Sequence, residues 1–199
     1  MTTGLTDHSL ITPPALEPVT LTEAKLHVRV DGSTEDALLT ALIVAARQHV
    51  EEYCQIGLIT QAWELRLDAW PKLLYLPRAP LLEVTSVTYT DDAAATATLA
   101  ATAYTLRTGT APGSLLFDAD LLPTVTLADV AGVKVRYTVG YGAAAANVPQ
   151  AIRQAMLLLI GHWYANREAV AAGNLAPLPM AVDALLAPYR VYWFGEWAQ

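Results

Sequence analysis

Between residues 33 and 57 the apolar positions recur at helical spacing. Leu39, Leu42, Ile43, Ala46, Val50 and Tyr53 share one face, and Glu35, Gln48, Glu51, Glu52 and Gln55 lie mainly opposite. The pattern predicts an amphipathic helix that starts from a Ser33 cap, with Asp36 at the third helical place, and ends near Gly57. Arg47 and Glu51 stand four apart on it, a spacing that typically adds roughly a few tenths of a kcal/mol. A shorter helix precedes it. In "TLTE" the Thr20 hydroxyl and the Glu23 carboxylate have the spacing of a capping box, and "LTEAKLHVRV" then runs to Asp31-Gly32. Residues 1–19, with Pro13, Pro14 and Pro18, read as an extended arm outside any element.

The period then changes to two. In "QAWELRLD" Trp63, Leu65 and Leu67 alternate with Glu64, Arg66 and Asp68, which predicts a half-buried strand. "KLLYL" between prolines and the β-branched "LEVTSVTYT" are further strands. "DDAAATATLAAT" is an Ala/Thr stretch suited to a loop or hairpin tip. "AYTLRT" and "GSLLFD" flank the turn "GTAPG", and "VKVRYTV" places Val133, Val135, Tyr137 and Val139 on one face.

After "GYGAAAANVP" the helical period returns. Pro149 suits a helix start. "QAIRQAMLLLIGHWYANREAV" is apolar nearly all round its middle, the mark of a helix covered on most sides. A loop, "AAGNLAPLPM", leads to the short helix "AVDALLAP". Helices, then strands, then helices imply an α+β fold: N- and C-terminal helices packed as a helical bundle, with an antiparallel β-rich region inserted between them. The expected layout is a single domain over 1–199. Its helical part covers 20–58 and 148–188, the β-rich insertion 59–142, and an aromatic C-terminal tail 189–199.

Composition narrows the function. The chain has 199 residues, 54% of them hydrophobic and only 16% charged. That is lean in charge for a lone soluble monomer and suggests a surface covered by partners. The net charge is −7, and the 12 Lys and Arg are scattered without a basic run, which argues against tight DNA binding. A single cysteine, Cys54, excludes an internal disulfide and a cysteine-based zinc site; it reads as a small core residue. The opening "MTTGLTDHSL" lacks the pattern of a signal peptide, and "MLLLIG" is too short to span a bilayer, so no membrane role is expected.

The search for chemistry finds little. "GYGAAAA" lacks the spacing of a phosphate-binding glycine loop, and no metalloprotease, nucleophile-elbow or paired-cysteine motif is present. His162 in "GHWYANRE", with Arg167 and Glu168 nearby, is the one candidate general base of a small soluble enzyme. A core or interface histidine is the preferred reading, since no nucleophile stands at a recognisable spacing. Asp91-Asp92 and Asp118/Asp120 offer hard oxygen ligands but no calcium-loop spacing, and read as solvated loop carboxylates. No catalytic residue, metal ligand or cofactor is assigned.

The tail "PYRVYWFGEW" is different. Tyr, Trp and Arg are the residue types enriched at interface hot spots. Tyr189, Arg190, Tyr192, Trp193, Phe194 and Trp197 are the candidate partner-binding residues, against the alternative that the segment folds back on its own helices.

Several stretches, taken in order, resemble the head–tail connector (adaptor) proteins of tailed bacteriophages, a family with members in prophages and gene transfer agents. They are "EPVTLTEAKLHVRVDGSTEDALLTALIVAARQHVEEY", "GLITQAWELRLDAWP", "LPRAPLLEVTSVTY", "VRYTVGYG", "VPQAIRQAMLLLIGHWYANREAV" and "LLAPYRV", together covering most of 17–191. The resemblance implies a structural role in the virion or virus-like particle, assembled in the bacterial cytoplasm. The chain would join copies of itself in a closed ring, generally twelve-fold, beneath the portal protein. The ring would extend the DNA channel, let DNA pass without specific binding, and carry a tail-side connector or tail terminator protein. The aromatic tail, past the matching stretch, would dock on the portal.

Overall fold

The computed structural model describes residues 5–166 and 180–192. The fold is α+β, and the chain divides into two compact units. One is helical, over Ala15–Ile59 and Tyr141–Arg190. The other is built of strands, over the chain up to Pro14 and Thr60–Gly140, with Val191 and Tyr192.

In the helical unit, α1 (Leu21–Val28) starts on the expected capping box. Thr20 Oγ1 accepts from the Glu23 amide at 3.2 Å, and Glu23 Oε2 accepts from the Thr20 amide at 2.8 Å. The helix stops three residues short of the Gly32 expectation, because Arg29 turns left-handed at φ 59°. α2 (Asp36–Cys54) differs at its start. Ser33 is not its cap: Glu35 holds that place without a side-chain bond, and Asp36 instead receives Lys25 Nζ at 2.7 Å. The chain there is tied by a tertiary ion pair, which a local capping rule cannot see. Gln55, at φ 56°, ends α2.

The apolar face of α2 buries Leu39, Ile43, Ala46 and Val50 as predicted. α3 (Gln150–Ala165) packs on it and buries Ile152, Ala155, Met156, Leu159 and Ile160. Leu157 and Leu158, on the far side of α3, are only half-buried, so its all-round apolar middle is more than this unit covers. α4 (Met180–Leu186) packs against α3 and continues into a 3₁₀ turn over Ala187–Tyr189.

The β unit holds two antiparallel sheets. The strands are β1 (Leu5–Thr12), β2 (Gln61–Leu67), β3 (Leu73–Leu76), β4 (Leu81–Thr90), β5 (Thr96–Thr98), β6 (Tyr104–Arg107), β7 (Gly113–Phe117) and β8 (Val133–Val139). The larger sheet has the order β1-β2-β8-β4-β5, the smaller β3-β7-β6. β1 corrects the reading of 1–19 as an arm without an element. Its "DHSLIT" lacks a two-residue apolar alternation, and its partner β2 lies some fifty residues on, so nothing local announces the strand. The Ala/Thr stretch is a hairpin tip closed by β4 and β5.

The register sets one face of the large sheet as core. Leu65, Val135 and Val87 stand in one row across β2, β8 and β4, and Trp63, Tyr137 and Val84 in the next. They join Leu74, Leu76, Leu115 and Phe117 of the small sheet in a single hydrophobic cluster. Tyr137 Oη donates to Pro77 O at 2.9 Å. His8 Nε2, 2.7 Å from the same oxygen, therefore supplies the proton of the second bond. His8 also stacks on Trp63 at 4.4 Å between ring centres. These contacts pin β1 to the sheet.

Candidate interaction surfaces

The C-terminal stretch was predicted as a docking element, with folding back on its own helices as the alternative, and its first residues, Tyr189 and Arg190, are anchored on the helical unit. The Arg190 guanidinium sits 4.4 Å from the Tyr53 ring centre, and Nη1 lies 3.4 Å from Tyr53 Oη. Tyr53 Oη donates to Asp183 Oδ1 at 3.1 Å. His49 stacks on Tyr53 and meets Trp163 edge-on. Beneath them Cys54 is fully buried, its thiol 4.0 Å from Leu186 O, and burial pushes that thiol up to about 11. Burial, with Tyr189 and Cys54 beside it, pushes Tyr141 up to about 12. Tyr189 and Arg190 thus hold the base of the tail in place. Tyr192 is 56% exposed, while Trp193, Phe194 and Trp197 lie outside the described residues.

His162 is half-buried on α3, and its backbone oxygen accepts from both nitrogens of Asn166. Arg167 and Glu168, the neighbours on which a general-base reading rests, lie outside the described residues. The loop aspartates serve their own turns. Asp91 Oδ1 accepts from the Ala95 amide at 2.8 Å, and Asp118 Oδ1 from the Asp120 amide at 3.1 Å. Among the described residues no group of three or more His, Cys, Asp or Glu could hold a metal ion.

Two charged arrangements were not expected. In the helical unit, the Arg47–Glu51 pair is buried rather than surface-exposed. Arg47 Nη1 reaches Glu51 Oε2 and Nε reaches Glu17 Oε2, both at 2.8 Å, while Glu51 Oε1 accepts from the Leu58 amide at 3.0 Å. In the β unit, Glu64 was assigned to the solvent side of its strand, yet it is buried. Arg136 Nε meets it at 2.7 Å and Arg66 Nη2 at 2.8 Å, and together they lie over its carboxylate. Burial pulls Glu64 upward, but the hydrogen bonds from Arg136 and Arg66 outweigh it and hold the group below its ordinary 4.5. The register places Arg66 beside Lys134 and Glu64 beside Arg136, which no alternation rule reveals.

An open groove of about 610 Å³ runs along the small-sheet side of the β unit, lined by Trp70, Pro71, Leu116, Phe117 and Leu122 with Lys72 and Asp118. The buried Trp70 indole N–H has no acceptor there. The molecule presents faces, edges and an anchored tail, and no convergent catalytic set among the described residues.

The comparisons agree with that character. The family model for head completion proteins matches residues 17–191. A chain in the neck of an empty gene transfer agent particle computed with C6 symmetry is 27% identical, with a TM-score of 0.79 over 96% of this chain and 99% of that chain. A chain of the native gene transfer agent virion is 25% identical, with a TM-score of 0.76 over 94% and 96%. A third, from the native neck computed with C12 symmetry, is 26% identical, with a TM-score of 0.71 over 95% and 99%. No curated protein matches the chain. These relatives are structural components of particles, and the match spans nearly the whole of each chain. The protein belongs to the head completion protein family, and its role is that of a structural head–tail connector.

Proposed function

We propose that this chain forms a closed ring, twelve copies in the assembled particle, that docks under the portal protein and carries a tail-side connector or terminator. The observation that carries the reading is the likeness, over 96% of the chain, to a neck chain whose particle has rotational symmetry. A ring repeats one head-to-tail interface until it closes, so each copy hides two flanks. That fits a chain of which only 16% of the residues are charged. The net charge of −7 suits a channel that lets DNA slide by without holding it. The role is structural; the rival reading, an enzyme using His162 as general base, predicts instead that His162→Gln leaves assembly intact and removes an activity.

The tail completes the assignment. Arg190, seated on Tyr53, fixes the point from which the tail departs. Tyr192, Trp193, Phe194 and Trp197 then supply aromatic area to a cleft between portal subunits. Repetition around the ring adds avidity without any single contact being strong. Deleting residues 192–199 tests this. The expected result is a folded protein, by circular dichroism and thermal melting, that is missing from the necks of purified particles. Truncated protein that still enters the neck, or that unfolds, overturns the docking role.

A further inference from the structure

Among the described residues the large sheet ends in two open edges. Among the described residues no strand follows beyond β1. On the other side β5 pairs with β4 only over Thr88–Thr90, so among the described residues Leu82–Ser86 face no strand. Natural edges are usually blunted by lysine, proline, β-bulges or burial. Here β1 over Asp7–Thr12 and β4 over Leu82–Ser86 contain neither lysine nor proline, and Leu10, Ile11 and Leu82 are 42%, 41% and 43% exposed; bulges between Leu10 and Thr12 and between Val84 and Ser86 bend both edges without covering them.

The two edges match one another. The register carries one row from Leu10 through Trp63 and Tyr137 to Val84, and another from Ser9 through Glu64 and Arg136 to Ser86. Repeating the sheet sideways without a shift sets Leu10 of one copy beside Val84 of the next. Thr12 then falls beside Glu83 and Ser9 beside Ser86 where the bulges after Leu10 in β1 and after Val84 in β4 carry through, and beside Leu82 and Thr85 where the new pair is regular. Strand directions agree as well: β1, β2, β8 and β4 alternate, so the fourth meets the next copy's first in antiparallel fashion. Leu10 and Val84 continue the apolar row of Trp63 and Tyr137, whereas Ser9 and Ser86 continue the polar row of Glu64 and Arg136. β5 and the residue after it block β4 from the His8 row onward, since the Leu99 amide donates to Val87 O at 2.8 Å. Asp7 and Glu83, the two charges of the edges, fall at opposite ends of the junction.

We infer that neighbouring copies in the ring join by strand addition, the β1 edge of one pairing with the open Leu82–Ser86 edge of β4 in the next, so that the sheet runs on from subunit to subunit. The inference rests on the ring reading above. It names the heterologous surface that reading requires, and its occupant is a second copy of this chain.

Disulfide trapping in assembled particles tests it. Cross-strand partners bring Cβ atoms within about 5 Å, close enough for a disulfide after small adjustment, and the native Cys54 is fully buried. Two double variants bracket the register: Leu10→Cys with Val84→Cys, and Thr12→Cys with Glu83→Cys. The expected result is that at least one, after oxidation, gives a ladder of covalent multimers on a denaturing non-reducing gel. The corresponding single variants give none beyond dimer. As a second measurement, Leu82→Lys, at an exposed position of the same edge, should keep the monomer's melting temperature and reduce the chain's occupancy of purified necks at least tenfold. Full necks with no ladder from either pair, or full occupancy by Leu82→Lys, overturn the edge junction while leaving the ring intact. Particles whose necks lack the unaltered chain overturn the ring reading itself.

Discussion

The helical and β units each bury one carboxylate under arginine, and they use it differently. In the helical unit Glu51 is enclosed: Arg47 is itself buried, Glu17 holds the other side of its guanidinium, and the Leu58 amide takes the second oxygen. The cluster locks the end of α2 to the chain that follows it. In the β unit Glu64 is equally buried, but the side chains over it, Arg136 and Arg66, are 55% and 38% exposed. That cluster lies at the open polar face of a sheet. A sealed ion pair fixes internal geometry, whereas one with its cations in solvent leaves them available to shape a surface.

The sharpest way to break the contrast is Arg47→Ala. It strands Glu51 and Glu17 without their cation, and loss of one partner of a buried pair costs about 3–5 kcal/mol. Chemical denaturation should show that loss, and hydrogen exchange should localise it to α2 and the turn after it. A cost below about 1 kcal/mol, the range of exposed pairs, would erase the distinction. A smaller effect is expected from Tyr137→Phe in the β unit. The variant leaves Pro77 O and His8 Nε2 without their shared hydroxyl, at a cost of about 1–3 kcal/mol. Exchange should rise first in β1, because His8 is its pin; uniform loosening of both units would contradict that assignment.

The smallest effect concerns pH. Glu64 and Glu23 are both held below 4.5 when folded, Glu64 by arginines that outweigh its burial and Glu23 chiefly by the Thr20 amide. A carboxylate with a lowered folded value contributes stability above its unfolded value and loses it as the pH falls through the folded one. Stability should therefore decline from about pH 4.5 downward. Glu64→Gln should flatten that decline and change little at pH 7 in its slope with pH. An unchanged acid limb in the variant would mean that the Arg66 and Arg136 bonds do not govern the titration.

Much of the helical unit was legible in the chain. The α2 stripe, the Thr20 capping box and the Pro149 boundary follow from interactions within one or two turns, so residue type and spacing suffice. The alternating strands β2 and β8 were visible for the same reason. Partners distant in sequence decided the rest. β1 has no pattern of its own and exists because β2 accepts it. Glu64 sits at a polar position, and only the arrival of Arg136 from β8 buries it.

The aromatic tail illustrates the same division for function. Its residue types marked Tyr189, Arg190, Tyr192, Trp193, Phe194 and Trp197 as candidates for contact, but the chain alone could not say which of them pack on their own unit. The contacts of Arg190 with Tyr53, and of Tyr53 with Asp183, place a fixed point at residue 190. The open edges left no trace in sequence at all, since an unpaired backbone group has the same side chain as a paired one.

By itself, then, the sequence determined the α+β class, the helices and most strands, the lean charge and the resemblance to connector proteins, because these depend on short-range periodicity and on residue type. Only the tertiary structure decided which charges are buried, which strand is an edge, and which rows of the sheet end on apolar or polar side chains. Those properties belong to pairs of residues brought together across the chain, and backbone register, which no single residue encodes, sets them.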